Sequence, residues 1–242
     1  MSIRTKIIQK LVHINEGVFF YPKLKKFYKE NLINQHINIL DVGANKGQSI
    51  DFFKRINQNI NVHAFEPNKK LFSFLLNKYK TTTNVKLYNF GVSNIKGDLV
   101  FHENILDETS TFEELNLESK YLEKKAKILG VSKENLIVDN YKVEVIRLSD
   151  FINENPHISF DVLKIDVEGH ELKCLQGLFS DENKVMPIRF IQLESHKDDM
   201  YLSNSQHQDI EKILVKHGFE IAAEFKHGFG DFAELIYVNK RK

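Results

Sequence analysis

The strongest chemical signal in the chain is a pair of acidic corners, each following a short apolar segment. Asp41 ends the first segment, and a turn with Gly43 and Gly47 follows it. Glu66 and Pro67 end the second segment. Glycine lets the backbone approach a ligand closely because it has no Cβ. A carboxylate at the end of a neighbouring strand can accept hydrogen bonds from ribose hydroxyls. The pattern therefore predicts a crevice that binds a nucleoside.

The spacing of the glycines narrows the choice of cofactor. Dinucleotide-binding folds usually show G-x-G-x-x-G, with the pyrophosphate at a helix N-terminus. Here Ala44, Asn45 and Lys46 separate Gly43 from Gly47. Asp41 would oppose a pyrophosphate and would favour a cation such as the ammonium of a methionine moiety. The pattern resembles motif I of S-adenosylmethionine-dependent methyltransferases, and its alternative interpretation is a tight turn without a ligand.

The composition indicates one compact domain of ordinary charge. The chain has 242 residues, a net charge of +1 and one cysteine, Cys174, which lies among apolar residues and is expected in the core. The balanced charge gives no argument for nucleic acid. No apolar run is long enough to span a membrane, and no secretion signal is evident, so we expect a cytoplasmic protein.

Residues 1–36 are predicted to form a helical extension, interrupted at Pro22 and rich in aromatic residues. It would pack on the main domain or contribute to a substrate surface or a homodimer. From residue 37 to 242, strands and helices alternate, which predicts a parallel sheet with helices on both faces. The predicted strands are 38–42, 61–65, 85–92, 160–165 and 189–193, followed by a hairpin of 219–225 and 232–238.

The insertion 97–147 breaks this alternation and is the best candidate for a lid or a substrate wall. Residues 97–103 and 143–148 are predicted to be strands. Ser110 and Glu113 match a capping box for a long helix that Gly130 would end. Pro67 is predicted in the first turn of the helix after the second strand.

Polar residues stand at every predicted strand end where a ligand would bind in such a sheet. Clustered carboxylates cost stability unless they are paired, so folding alone does not explain them. The strand-end residues are Asp41, Glu66, Ser93, Asn94, Asp166, Glu168, Glu194 and His196.

The segment 163–171, with the sequence LKIDVEGHE, and the following Leu175-Gln176-Gly177 resemble the signature of the FkbM-type methyltransferase family. The corners at Asp41 and Glu66 agree with it, and the similarity extends from about residue 39 to 238. The resemblance implies a Rossmann-like class I methyltransferase fold: a three-layer α/β/α sandwich with a mostly parallel seven-stranded sheet and a C-terminal antiparallel hairpin. It also implies methyl transfer from S-adenosylmethionine, commonly to a hydroxyl of a sugar or polyketide.

Roles carried over from the family concern the cofactor first. Asp41 would hold the amino group of the cofactor, and Glu66 would hold its ribose hydroxyls. The turn of Gly43, Ala44, Asn45 and Gly47 would lie along the cofactor, and Pro67 would also contact it. Ser93 or Asn94 would lie near the adenine. Asp166 would lie next to the sulfonium.

A hydroxyl acceptor needs a base or a metal ion. The candidate bases are Asp166, Glu168 and His170, with His196 a weaker one. Glu168 could instead be a partner of Lys164, and His170 a helix-start residue without a role. Asp166 and Glu194 could coordinate Mg²⁺.

Two other functions fit parts of the pattern. One is an NAD(P)-dependent oxidoreductase on a similar sheet, against which the missing middle glycine argues. The other is a non-catalytic binding module that keeps the fold. For the enzyme, the expected partner is a small-molecule or glycan substrate.

Overall fold

A seven-stranded sheet forms the centre of the protein in a computed structural model that describes residues 20–32, 36–181, 186–196, 199–202, 207–226 and 232–241. The strands in chain order are β1 Ile37–Val42, β2 Ile60–Phe65, β3 Val85–Tyr88, β4 Gly91–Val92, β5 Gly97–Asn104, β6 Ile137–Ile146, β7 Phe160–Ile165, β8 Ile188–His196, β9 Phe219–Lys226 and β10 Phe232–Asn239. The order of strands across the seven-stranded sheet is β3-β2-β1-β7-β8-β10-β9.

The pairing confirms a mostly parallel sheet with a C-terminal hairpin. Strands β3, β2, β1, β7 and β8 are parallel, whereas β10 runs antiparallel to both β8 and β9. Val42 of β1 is paired with Phe65 of β2 and with Ile165 of β7. The residues that follow these three strands therefore emerge side by side at one edge of the sheet.

Helices cover both faces of this sheet, as the alternation predicts. Neighbouring residues of β7 point to opposite faces, so Val162 and Leu163 belong to separate apolar cores. The helices are α1 Tyr21–Asn31, α2 Gln48–Ile56, α3 Lys69–Lys78, α4 Lys120–Leu129, α5 Leu148–Glu154, α6 Glu171–Leu178 and α7 His207–Lys216. No helix within the described ranges is long and apolar enough to cross a membrane.

Helix α1 of the predicted N-terminal segment packs on the domain that holds the main sheet. Pro22 stands in the first turn of α1 and does not interrupt it, because the missing N–H is harmless there. Leu24 and Tyr28 are buried, and the Tyr28 hydroxyl donates to Gln192 Oε1 at 2.7 Å. The predicted helix over residues 1–19 lies outside the described residues.

Two predicted helix starts are wrong. Pro67 precedes α3, which Asn68 caps by accepting from the N–H groups of Lys70 and Leu71. The helix of the insertion, α4, is capped by Ser119 and not by Ser110, and Gly130 ends it as predicted, at φ +75°.

The predicted strand 85–92 divides between two sheets. After β3 ends at Tyr88, the Asn89 side chain donates to the carbonyl oxygens of Glu66 and Pro67. The chain then enters β4, which joins β5 and β6 in a small sheet of order β4-β6-β5. The insertion thus builds a second sheet beside the main one.

Candidate functional site

A cleft lies at the edge of the main sheet where β1, β2 and β7 end. Six residues singled out from the sequence line it: Gly43, Asn45, Glu66, Pro67, Asp166 and Glu168. Val167 and Leu71 also line it. The opposite wall comes from the insertion and contains Phe101, Asp107, Glu108, Ser110, Thr111 and Phe112. Apart from Ser110, which the capping-box pattern assigned to another role, no short motif in the sequence marks these wall residues.

The two glycines of the first turn are required by contacts within the protein. A Cβ on Gly43 would lie 1.9 Å from the Asp166 carbonyl oxygen, and one on Gly47 would lie 2.4 Å from the Tyr79 hydroxyl. Both glycines also have positive φ, +84° and +79°. Ala44 between them is buried in the apolar core. Gly43 thus brings the ends of β1 and β7 together.

Glu66 is a buried carboxylate that faces the cleft. It is 4% exposed and accepts the Asn45 N–H at 2.7 Å and the Asn68 N–H at 2.8 Å. Burial raises its pKa to about 7, although these two hydrogen bonds act in the opposite direction. A carboxylate has about four acceptor positions, so Glu66 can still accept hydrogen bonds from a ligand.

Asp41 ends β1 just before the turn, is 1% exposed and is not itself among the residues that line the cleft. Its Oδ2 accepts from the Ser49 hydroxyl, whereas its Oδ1 has no hydrogen-bond partner among the described residues. Burial raises the pKa of Asp41, and the nearby charge of Lys164 opposes that change. A buried polar atom without a partner is costly, so this oxygen fits a site that a donor group of a ligand completes.

Lys164 is a buried cation at the site. Its side-chain nitrogen lies 2.8 Å from Asp166 Oδ2. Burial alone would lower the pKa of Lys164, but the charges of Asp166, Asp41 and Glu234 raise it above its usual value. The residue therefore stays protonated, and its salt-bridge partner is Asp166, not Glu168.

Three carboxylates gather at the end of the cleft. Asp166, Glu168 and Glu194 each place one oxygen within 4.8 Å of the others. Glu168 adopts φ +54° and accepts from the Tyr201 hydroxyl at 2.8 Å. The oxygen set is of the type that Mg²⁺ binds, but Asp166 already has an ammonium partner, and magnesium stays a prediction. The side chain of His196 lies outside the described part of the chain.

His170 is buried and is not among the residues that line the cleft. Its ring is 1% exposed, with Nδ1 2.6 Å from Glu113 Oε1 and Nε2 2.9 Å from the Ser93 hydroxyl. Burial lowers its pKa despite the neighbouring Glu113. The contact with Glu113 ties the insertion to the start of α6, and a base at His170 stays a prediction.

Ser93 and Asn94 do not line the cleft. Ser93 is buried against His170, and Asn94 is exposed and donates to Gln176. The reason is the break after β3, which diverts these residues into the small sheet. Cys174 is buried in the core, as predicted, and its thiol donates to the Val92 carbonyl oxygen.

The fold defines the class of the protein. The structure is similar to that of magnesium protoporphyrin IX methyltransferase from Synechocystis PCC 6803 with bound S-adenosylmethionine. The match has a TM-score of 0.54 and 12% sequence identity, and it covers 99% of this chain and 85% of the other chain. The chain therefore has the fold of class I S-adenosylmethionine-dependent methyltransferases.

Sequence comparison then gives the family. The methyltransferase FkbM domain matches residues 41–221, so the chain belongs to the FkbM methyltransferase family. "Methyltransferase 1" of Beauveria bassiana is 26% identical over 77% of this chain and 73% of its own length. The 31-O-demethyl-FK506 methyltransferase FkbM of Streptomyces tacrolimicus is 28% identical over 77% and 74%, respectively. This membership replaces the NAD(P)-dependent oxidoreductase alternative.

Proposed function

We propose that the protein transfers the methyl group of S-adenosylmethionine to a hydroxyl of a sugar, a glycan or a secondary metabolite. One observation carries this proposal: groups suited to binding a nucleoside and carboxylates suited to accepting a proton line the same cleft. Asn45 and Glu66 offer the groups suited to a nucleoside, and Asp166 and Glu168 offer carboxylates beyond them. The name of the Streptomyces relative, which specifies an oxygen as the methylated atom, supports an oxygen acceptor.

The cofactor would be held by groups that still have hydrogen-bonding capacity. We assign the ribose hydroxyls to the Glu66 carboxylate, whose orientation is fixed by two backbone N–H groups. The ammonium group of the methionine moiety is assigned to Asp41, because its Oδ1 has no partner among the described residues. When bound, S-adenosylmethionine supplies a methyl carbon that its positive sulfur makes electrophilic.

The chain must orient the acceptor hydroxyl and remove its proton, since a protonated hydroxyl is a poor nucleophile. Asp166 is already engaged by the ammonium of Lys164, which stabilises its charged form and makes it a poorer proton acceptor. Glu168 lines the same cleft. We assign Glu168 as the base: as the acceptor oxygen would bond to the methyl carbon and the bond from that carbon to sulfur would break, the hydroxyl proton would move to the Glu168 carboxylate and S-adenosylhomocysteine would leave.

A combined binding and transfer experiment tests this function. Calorimetry with S-adenosylhomocysteine should give micromolar binding to the wild type and at least tenfold weaker binding to Asp41→Ala and Glu66→Ala. Glu234→Gln is the matched control, because Glu234 is also a buried carboxylate but its Oε2 already accepts from the Gln192 side chain, whereas Asp41 Oδ1 has no partner among the described residues. Labelled-methyl transfer is then screened over hydroxylated sugars, glycans and small metabolites, with Glu168→Gln as the variant expected to lose transfer.

Each outcome has a distinct meaning. Absence of binding to correctly folded wild type would overturn the cofactor assignment. Binding without transfer to any hydroxylated acceptor would favour the non-catalytic module. Transfer that persists in Glu168→Gln would leave the reaction but reject Glu168 as its base.

A further inference from the structure

Glu168 has an uncommon backbone conformation at the wall of the cleft. It is one of two described non-glycine residues with positive φ, at +54°. Such a conformation costs energy for a residue with a Cβ and persists only where the surroundings enforce it. Two contacts do so: the Tyr201 hydroxyl donates to Glu168 Oε2 at 2.8 Å, and the Thr111 hydroxyl donates to the Glu168 carbonyl oxygen at 2.7 Å.

The ring of Tyr201 reaches Glu168 by passing directly over Gly169. A Cβ on Gly169 would lie 2.6 Å from Tyr201 Cδ2, and Gly169 has φ +95°. Tyr201 itself is 1% exposed. Gly169 therefore leaves the space that the Tyr201 ring occupies, and this ring places its hydroxyl on the Glu168 carboxylate.

The insertion keeps Tyr201 in this place. Tyr201 forms an isolated β-bridge with Leu115, and the N–H of Leu202 donates to the Glu114 carbonyl oxygen at 3.1 Å. A small apolar core, separate from the two cores of the main sheet, surrounds the ring. Its buried members are Leu115, Leu122, Ala126, Leu136, Met200 and Tyr201.

We infer that Tyr201 is a positioning residue for the reaction: it orients the Glu168 carboxylate toward the acceptor, and the helical part of the insertion serves to hold it there. This inference rests on the proposed role of Glu168 as the base. A carboxylate on a flexible side chain samples several rotamers, and one fixed oxygen restricts them. Such restriction keeps the base within reach of the acceptor proton.

The test begins with a measurement that needs no acceptor. In protein labelled with ¹³C at the glutamate carboxyl carbon, the Glu168 resonance is the one missing from Glu168→Gln. Its NMR titration is compared between the wild type and Tyr201→Phe, which keeps the ring over Gly169. Loss of a hydrogen bond to the charged form should move the Glu168 midpoint up by about one pH unit and leave that of Glu66 unchanged.

The charged groups around Glu168 are the same in both proteins. Among the described residues, Asp166 and Glu194 face it, and the Lys164 ammonium is paired with Asp166. The difference between the two titrations therefore reports the Tyr201 hydroxyl. Tyr88→Phe is the matched control, because its hydroxyl is bonded to His63 away from the cleft.

Kinetics complete the test with an acceptor found in the transfer screen. Tyr201→Phe should lower kcat about tenfold while the Kd for S-adenosylhomocysteine stays unchanged, and in a Glu168→Gln background it should cause no further loss. An unchanged Glu168 titration, or a shifted titration with wild-type kcat, would overturn the inference. If the wild type methylates no acceptor, the proposed function fails and with it the catalytic part of the inference, whereas the titration still decides whether Tyr201 controls Glu168.

Discussion

Binding of S-adenosylhomocysteine should weaken as the pH falls through neutrality, because Glu66 must be ionised to accept the ribose hydroxyls. Burial raises the pKa of Glu66 to about 7 in the absence of a ligand. Lowering the pH from about 8 to about 6 therefore reduces its ionised fraction about tenfold. The apparent Kd should rise by the same factor, which corresponds to about 1.4 kcal/mol.

The stability of the ligand-free protein should respond to Glu66 in the opposite direction. Its folded pKa of about 7 lies above its ordinary value of 4.5, so between these values the folded state binds more protons than the unfolded state. The contribution of Glu66 to the free energy of unfolding therefore falls as the pH rises through this window, by up to about 3 kcal/mol. Lowering the pH therefore stabilises the ligand-free protein and weakens its binding of S-adenosylhomocysteine.

Calorimetric titrations across this pH range, with two variants, test the assignment. Glu66→Gln should bind weakly at every pH, since an amide lacks the second acceptor oxygen that serves the N–H groups of Asn45 and Asn68. Glu234→Gln should keep the pH dependence of the wild type, although burial also raises the pKa of Glu234 to about 7. Wild-type affinity that is independent of pH, or a dependence abolished by Glu234→Gln, would refute the reasoning.

Two further substitutions test how the site is built. Lys164→Met removes the cation that pairs with Asp166 and interacts with the buried carboxylates of Asp41 and Glu234, and it should lower the free energy of unfolding in urea by about 3 kcal/mol; an unchanged value would contradict the electrostatic description. Gly43→Ala should cost about 3 kcal/mol in the same assay, because its Cβ meets the Asp166 carbonyl oxygen, whereas Gly130→Ala, with positive φ but no atom within 4 Å, should cost only about 1 kcal/mol. Equal costs would show that backbone strain alone matters at Gly43.

The sequence predicts the main sheet well because its information is local. Each central strand is a short apolar segment bounded by turn residues, and parallel strands of one sheet place their carboxyl ends at one edge. The grouping of Asp41, Glu66 and Asp166 follows from that topology. Their neighbourhood depends only on which strands are adjacent, and not on any side-chain detail.

The errors arise where tertiary contacts override a local pattern. Ser110 and Glu113 have the spacing of a capping box, yet Glu113 is buried against His170, 57 positions later in the chain. The strand predicted to reach Ser93 ends at Tyr88, because the Asn89 side chain bonds to the corner after β2. Nothing in the residues near Tyr201 indicates its contact with Glu168, since that contact depends on the insertion.

The charges around Lys164 link the first turn to the LKIDVEG segment, because Asp41 precedes that turn and Asp166 belongs to that segment. Lys164 is one cation among three carboxylates, Asp41, Asp166 and Glu234, whose charges all raise its pKa. Burial raises the pKa of Asp41 and holds that of Glu66 near 7, so ionising these carboxylates costs free energy in the ligand-free protein. A cationic ligand beside Asp41 would stabilise its charged form, whereas a pyrophosphate would oppose it. This electrostatic preference supports the proposed assignment of the cofactor ammonium to Asp41.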